Sequence, residues 1–158
     1  MGMTINEEQL DLLLEKLTSV KTNHFSLAKF FSSSNELALK YFDELKKINF
    51  ELDTIEWQEF YIDQCIKELC PDMDFTEAIM FKILPGRCLP IHWNLQNFDI
   101  DKTQKFLSIK DFEHGHILLS NNSIQFLRKE KWFQNKVSDF CWITNFGTNP
   151  FWVLRIVQ

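Results

Sequence analysis

The sequence predicts an α+β protein that is mostly β, with a helical segment over residues 1–70 and an antiparallel sandwich or barrel over 71–158. Three observations carry this. Apolar residues recur at helical spacing before Pro71. After it the period shortens to that of strands, in runs of roughly five to seven residues. Turn-forming pairs separate those runs.

In the helical part, Asn6 is placed to cap, with Gln9 at the third position, and Leu10, Leu13, Leu14, Leu17 and Val20 follow on one face. A second capping box pairs Ser33 with Glu36 and precedes a stripe of Leu37, Tyr41, Phe42, Leu45 and Ile48. A third helix is expected to start at Thr54 and to carry Trp57, Phe60, Tyr61 and Cys65, with Pro71 barring its continuation. The strands expected after Pro71 are 77–84, 105–110, 116–120, 123–129, 139–144 and 151–157. Asn121-Asn122 and the segment Gly147–Pro150 supply turns between them.

Composition narrows the function classes. Sixteen phenylalanines and 45% apolar residues are ample for a packed core, and four glycines with four prolines speak against disorder. The net charge is −5 and no Lys/Arg run stands out, so a nucleic-acid partner is not expected. No window is apolar enough to span a membrane, and the acidic N-terminus lacks the features of a signal peptide. Cysteines 65, 70, 88 and 141 form no CxxC pair, and a cytoplasmic location with reduced thiols is expected.

The chemistry-bearing residues are few. In "ILPGRCLPIHWN" (83–94) a Pro-Gly turn and a second proline lead to His92 and Asn94, which share a face if the segment is extended. Alone, that is half a metal site. His114 and His116 in "EHGH" would complete a three-histidine set with His92, unless Gly115 puts His114 in a turn. Cys141 reads as a small core residue. Arg155, inside "FWVLRIVQ", snorkels, pairs with a carboxylate or anchors an anion. P-loop, GxGxxG and GxSxG motifs are missing from the sequence.

Taken in order, "ILPGRCLPIHWN", "KFLSIKDFEHGHILLS" and "CWITNFGTNPFWVLRIVQ" resemble the small 2-oxoglutarate/Fe(II) oxygenases of the aspartyl/asparaginyl (prolyl) β-hydroxylase type, whose short members are common in phage and marine bacteria. The resemblance covers residues 77–158 and implies a double-stranded β-helix, that is, a jelly-roll, cupin-like barrel. It places His92 at the first iron ligand, Asn94 at the carboxylate ligand, Cys141 at the second histidine and Phe151 at the arginine that clasps 2-oxoglutarate. Asp111, Gly115 and His116, with Asn145, Gly147 and Pro150, match the rest of the pattern. Halogenase-type relatives also replace the carboxylate, but they keep both histidines. Phe151, Val153 and Arg155 share a strand face, so Arg155 is expected to reach the same cavity one step deeper.

Three functions follow as expectations. The first is an oxygenase-like barrel with a degraded iron and cosubstrate site, acting as a binding or regulatory protein. Its mouth, lined by His92, Asn94, His116, Cys141 and Arg155, would take a small molecule or peptide, and its N-terminal helices a protein partner or a second copy. The second is an active enzyme with Fe(II) and 2-oxoglutarate on an atypical set (His92, Asn94, Cys141), or a cupin-type metalloenzyme using His92, His114 and His116. The third is a phage-encoded protein that engages a host partner.

Overall fold

The computed structural model describes residues 7–17, 22–26, 56–90, 102–110, 113–121, 123–129, 131–137, 139 and 141–158. The expected cap at Asn6, Val20, the Ser33–Glu36 box with its stripe, and His92, Asn94 and Asp111 lie outside the described residues. In chain order the elements are α1 (Glu7–Lys16), β1 (Thr22–Ser26), β2 (Glu56–Tyr61), α2 (Asp63–Leu69), β3 (Glu77–Ile83), β4 (Cys88–Pro90) and β5 (Thr103–Ser108). Then follow β6 (His116–Ser120), β7 (Ser123–Gln125), β8 (Phe133–Lys136), β9 (Cys141–Asn145) and β10 (Phe151–Val157).

The strands form two antiparallel sheets, ordered β1-β2-β3-β10-β5-β8 and β4-β9-β6-β7. From β3 onward the eight strands are shared between the sheets so that the first and last pair, as do the second and seventh, the third and sixth, and the fourth and fifth. This nesting is that of a jelly roll, two Greek keys wound together. The barrel is therefore a double-stranded β-helix, as the resemblance implied.

Each face of the six-stranded sheet has its own core. The inner face packs Trp57, Phe81, Phe106, Phe151 and Val153 against Leu118, Cys141 and Ile143 of the opposing sheet. The outer face buries Phe60, Met80, Leu107, Leu154 and Ile156 under Leu13 and Leu17 near α1 and Ile66 of α2. Both faces of β10 are thus apolar, and six of its seven residues are buried. Leu13 and Leu17 of the expected α1 stripe pack on the outer face of this sheet.

The third helix differs from expectation. Residues 56–61 are a strand, and the helix begins only at Asp63. Trp57 and Phe60 mimic helical spacing, yet Trp57 faces the barrel and Phe60 the outer core, the two faces of one strand. Aromatic residues suit a pleated surface buried on both sides. Pro71 does stop α2, whose last turn closes with Cys70 N–H donating to Ile66 O at 2.8 Å. The 1–70 segment therefore contributes β1 and β2 to the sheet as well as helix. The strand expected over 123–129 ends at Gln125, and β1, β4 and β8 went unread.

Candidate functional site

The nominated residues fall at two ends of the barrel. Along the β6–β9 ladder His116 pairs with Asn145, and Ser120 pairs with Cys141. Four residues of strand separate these pairs, about 13 Å.

At the first end, two motifs that lie far apart in sequence interlock. The Pro85-Gly86 turn, with Gly86 at φ +79°, is held by Gly86 N–H donating to Asn145 O at 2.7 Å. Asn145 is fully buried; its Nδ2 donates to Ile83 O and Asn149 O, each at 2.8 Å, and its Oδ1 accepts from Gly147 N–H at 2.8 Å. His116 Nε2 meets Asn149 O at 3.0 Å, and the His116 ring stacks on Phe151 at 4.4 Å between centroids. Gly115 lies so close to the 146–147 backbone that a Cβ on it would fall 2.0 Å from Gly147 N. Glu113 closes the arrangement by accepting from Thr148 N–H, Thr148 Oγ1 and Asn149 Nδ2.

Those hydrogen bonds, the Thr148 amide foremost, pull the Glu113 carboxyl down to about 2 from an ordinary 4.5. A depressed carboxylate stabilises the fold above its unfolded pKa, and that contribution is lost as pH falls through the folded value. We therefore expect the melting temperature to fall between about pH 4.5 and pH 2, and to fall less in Glu113→Gln, as followed by circular dichroism. A Glu113→Gln protein with an unchanged acid profile would refute this role.

At the second end, polar side chains gather inside the barrel. Arg155 is 5% exposed; its Nε donates to Gln104 Oε1 at 2.8 Å and its Nη1 to Glu77 Oε2 at 3.2 Å. Burial lowers the Arg155 pKa, opposed chiefly by Glu77, and the group stays a cation. Glu59 is also buried and accepts from Trp57 Nε1 at 3.0 Å and Tyr61 Oη at 3.1 Å. Desolvation raises the Glu59 and Glu77 carboxyls, and Arg155 pulls both back. Asn135 Nδ2 donates to Ser120 Oγ at 3.0 Å, while its Oδ1 is buried with no partner among the described residues, an arrangement that costs about 1–3 kcal/mol.

Cys141 belongs to this second end. Complete burial pushes its thiol up to about 12, against the opposing pull of Arg155. It is a neutral thiol beside a cation.

Of the nominated residues, the structure brings Cys141 near Arg155, and His116 together with Asn145 and Phe151. It does not bring those two groups together, so the expected mouth combining His116 with Cys141 is not formed. Arg155 does share the inner face with Phe151 and Val153, but it lies toward Cys141 rather than one step deeper, because β10 runs from the Ile83 end to the Glu77 end. His114 is exposed in the turn before β6 and His116 is buried, so these two do not share a face. Gly115 breaks the alternation that would have aligned them. β4 is heading toward the Cys141 end at Pro90, the last described residue before His92 and Asn94.

Glu59, Glu77, Gln104, Ser120, Asn135 and Glu113 were not singled out from the sequence. A signal existed for one of them: Gln104, like the nominated Arg155, is a polar residue at an inward position of an otherwise buried strand.

The described residues do not fit Fe(II). The ion takes two imidazoles and a carboxylate. At Cys141, which the resemblance would make the second imidazole, burial favours the neutral thiol, and the Arg155 guanidinium in electrostatic reach opposes a dication. The nearby carboxylates are engaged by Trp57, Tyr61 and Arg155. Among the described residues no group of three or more His, Cys, Asp or Glu side chains could hold a metal. Nor do they fit 2-oxoglutarate where the resemblance would put its clamp, because the Phe151 ring there is buried against His116.

No family model matches the sequence, and no curated protein does. Solved structures similar to it include an RmlC-like cupin from Desulfovibrio desulfuricans (12% identity over 54% of this chain and 73% of that one, TM-score 0.41). A predicted oxalate decarboxylase from Thermotoga maritima shares 10% identity over 65% and 79% of the two chains, TM-score 0.44. A cupin-superfamily sugar phosphate isomerase from Silicibacter pomeroyi shares 6% over 65% and 59%, TM-score 0.45. At TM-scores below 0.5 these likenesses add nothing to what the strand order already establishes, a cupin-type double-stranded β-helix. No described helix is long and apolar enough to cross a membrane.

Proposed function

We propose that the chain is a non-catalytic binding protein built on an oxygenase-like double-stranded β-helix, with the iron and cosubstrate positions given over to packing. The observation that carries this reading is Cys141. It stands where the resemblance puts a metal-binding histidine, fully buried and favoured as the neutral thiol by that burial, with the Arg155 cation in electrostatic reach. Thiols bind metals as thiolates, and burial disfavours the thiolate here, with no group of three or more ligating side chains among the described residues to compensate. Phe151 supports the same conclusion, because a cosubstrate carboxylate would meet an aromatic ring in place of a guanidinium.

The test is reconstitution with Fe(II) under argon followed by 2-oxoglutarate. We expect no charge-transfer absorption band, no succinate release under oxygen, and a substoichiometric iron content after desalting. Appearance of the band or of succinate overturns the proposal and favours an active oxygenase.

A further inference from the structure

We propose that the seam between β7 and β8 is a binding site for a neutral, polyhydroxylated ligand of the oligosaccharide class. β7 is the edge strand of one sheet and β8 the edge strand of the other. Between them lies an open cavity of about 530 Å³. Its lining is dominated by residues with amide or hydroxyl side chains, Thr103, Ser120, Gln125 and Asn135 among them, and includes Phe133, which is partly buried against the inner core. Such groups both donate to and accept from sugar hydroxyls, and an aromatic face packs against the apolar C–H face of a pyranose ring. One acid and one base line the cavity, Asp139 and Lys136, and Asp139 Oδ2 already accepts the Lys136 backbone N–H at 2.9 Å. Charges of opposite sign cancel at a distance, so the seam presents no net field to draw an ionic ligand.

A second and independent feature sits in the floor. The hydrogen bond from Asn135 Nδ2 to Ser120 Oγ links the two sheets, and it leaves Asn135 Oδ1 shielded and without a partner among the described residues. Buried acceptors in folded proteins are nearly always satisfied. A turn of the Asn135 side chain toward the seam would bring Oδ1 within reach of a ligand hydroxyl, which would supply the missing donor. The strands beneath are fixed by pairing of Gln104 with Asn135 and of Ser120 with Ser123, so the polar groups are held in place before a ligand arrives. The proposal does not depend on whether iron binds, and the two tests read different signals.

The experiment is a nuclear magnetic resonance titration of the isotope-labelled full chain with three neutral probes: maltotriose, cellotriose and triacetylchitotriose. Inorganic phosphate serves as the ionic comparison. We expect at least one trisaccharide, and not phosphate, to shift the side-chain amides of Gln125 and Asn135 and the backbone amides of 133–136. Gln125→Ala should weaken that binding about tenfold, the loss of one neutral hydrogen bond expressed as a ratio of affinities. Phe133→Leu should weaken it as well, and the half-exposed Gln125 provides a variant that leaves the core untouched if Phe133→Leu does not fold. The proposal is overturned if no probe shifts these amides at millimolar concentration, if the shifts map elsewhere, or if Gln125→Ala leaves the affinity unchanged.

Discussion

Gly115→Ala is expected to destabilise the protein by about 4 kcal/mol and to lower its melting temperature by about 10 °C. The added methyl would sit 2.0 Å from Gly147 N and 2.3 Å from Phe146 C. Both neighbours are backbone, so no side chain can swing aside. The strain can be relieved only by parting the 113–116 turn from the 146–149 turn. That motion breaks the hydrogen bonds of Glu113 to Thr148 and Asn149 and moves His116 off Asn149 O. Gly147→Ala meets Glu113 Oε1 instead, the far end of a flexible side chain, and should cost less. Thermal melts of the two variants rank the effects, and equal losses would argue against the steric account.

Arg155→Leu carries the second large effect, a loss of about 3 kcal/mol at neutral pH. Removing one partner of a buried ionic pair leaves the other charge without compensation. Here Glu77 and the buried Glu59 both lose the cation that holds their carboxyls down. Their folded pKa values then rise further above the unfolded ones. A carboxyl raised in this way destabilises the fold increasingly as pH rises through its folded value, so the deficit is greatest at neutral pH and narrows as pH falls toward the carboxylate range. The double variant Arg155→Leu/Glu77→Leu should recover part of the loss, since apolar replacement of both partners removes the uncompensated charge. Arg155→Lys keeps the charge but not the fork that serves Gln104 and Glu77 together, and should fall between the two. Denaturant titrations at pH 7 and pH 5 distinguish these cases. A single variant as stable as the parent at pH 7 would sink the argument.

The barrel was legible in the sequence where strands are apolar on both faces. β3, β6 and β10 were found within a residue of their bounds, because runs such as "HILLS" and "FWVLRIV" have no competing reading. β8 was not legible: "FQNK" alternates between half-buried and exposed positions at a sheet edge and carries three polar residues. β2 was misread because two aromatic residues on opposite faces of a strand fell at helical spacing. The site was less legible than the fold. Motif matching grouped His116, Asn145 and Phe151 with Cys141 and Arg155, and only the register of β6 on β9 separates them. The polar group around Arg155 combines residues from β2, β3, β5 and β10, whose adjacency depends on sheet order rather than on local pattern. The segments 115–116 and 145–150, which the resemblance grouped with a cofactor site, interlock at one end of the barrel.

The placement of β10 bears on how the protein reaches its fold. This last strand lies between β3 and β5, and it bonds to both along most of its length. β3 must therefore wait, with its inner edge unpaired, for a partner some seventy residues further along the chain. Closing so long a loop costs entropy before any contact repays it, which makes sheet completion a late and slow step. Until that step, the unpaired edge of β3 is open to strands from other chains. Aggregation during refolding should therefore rise with protein concentration more steeply than stability alone would suggest.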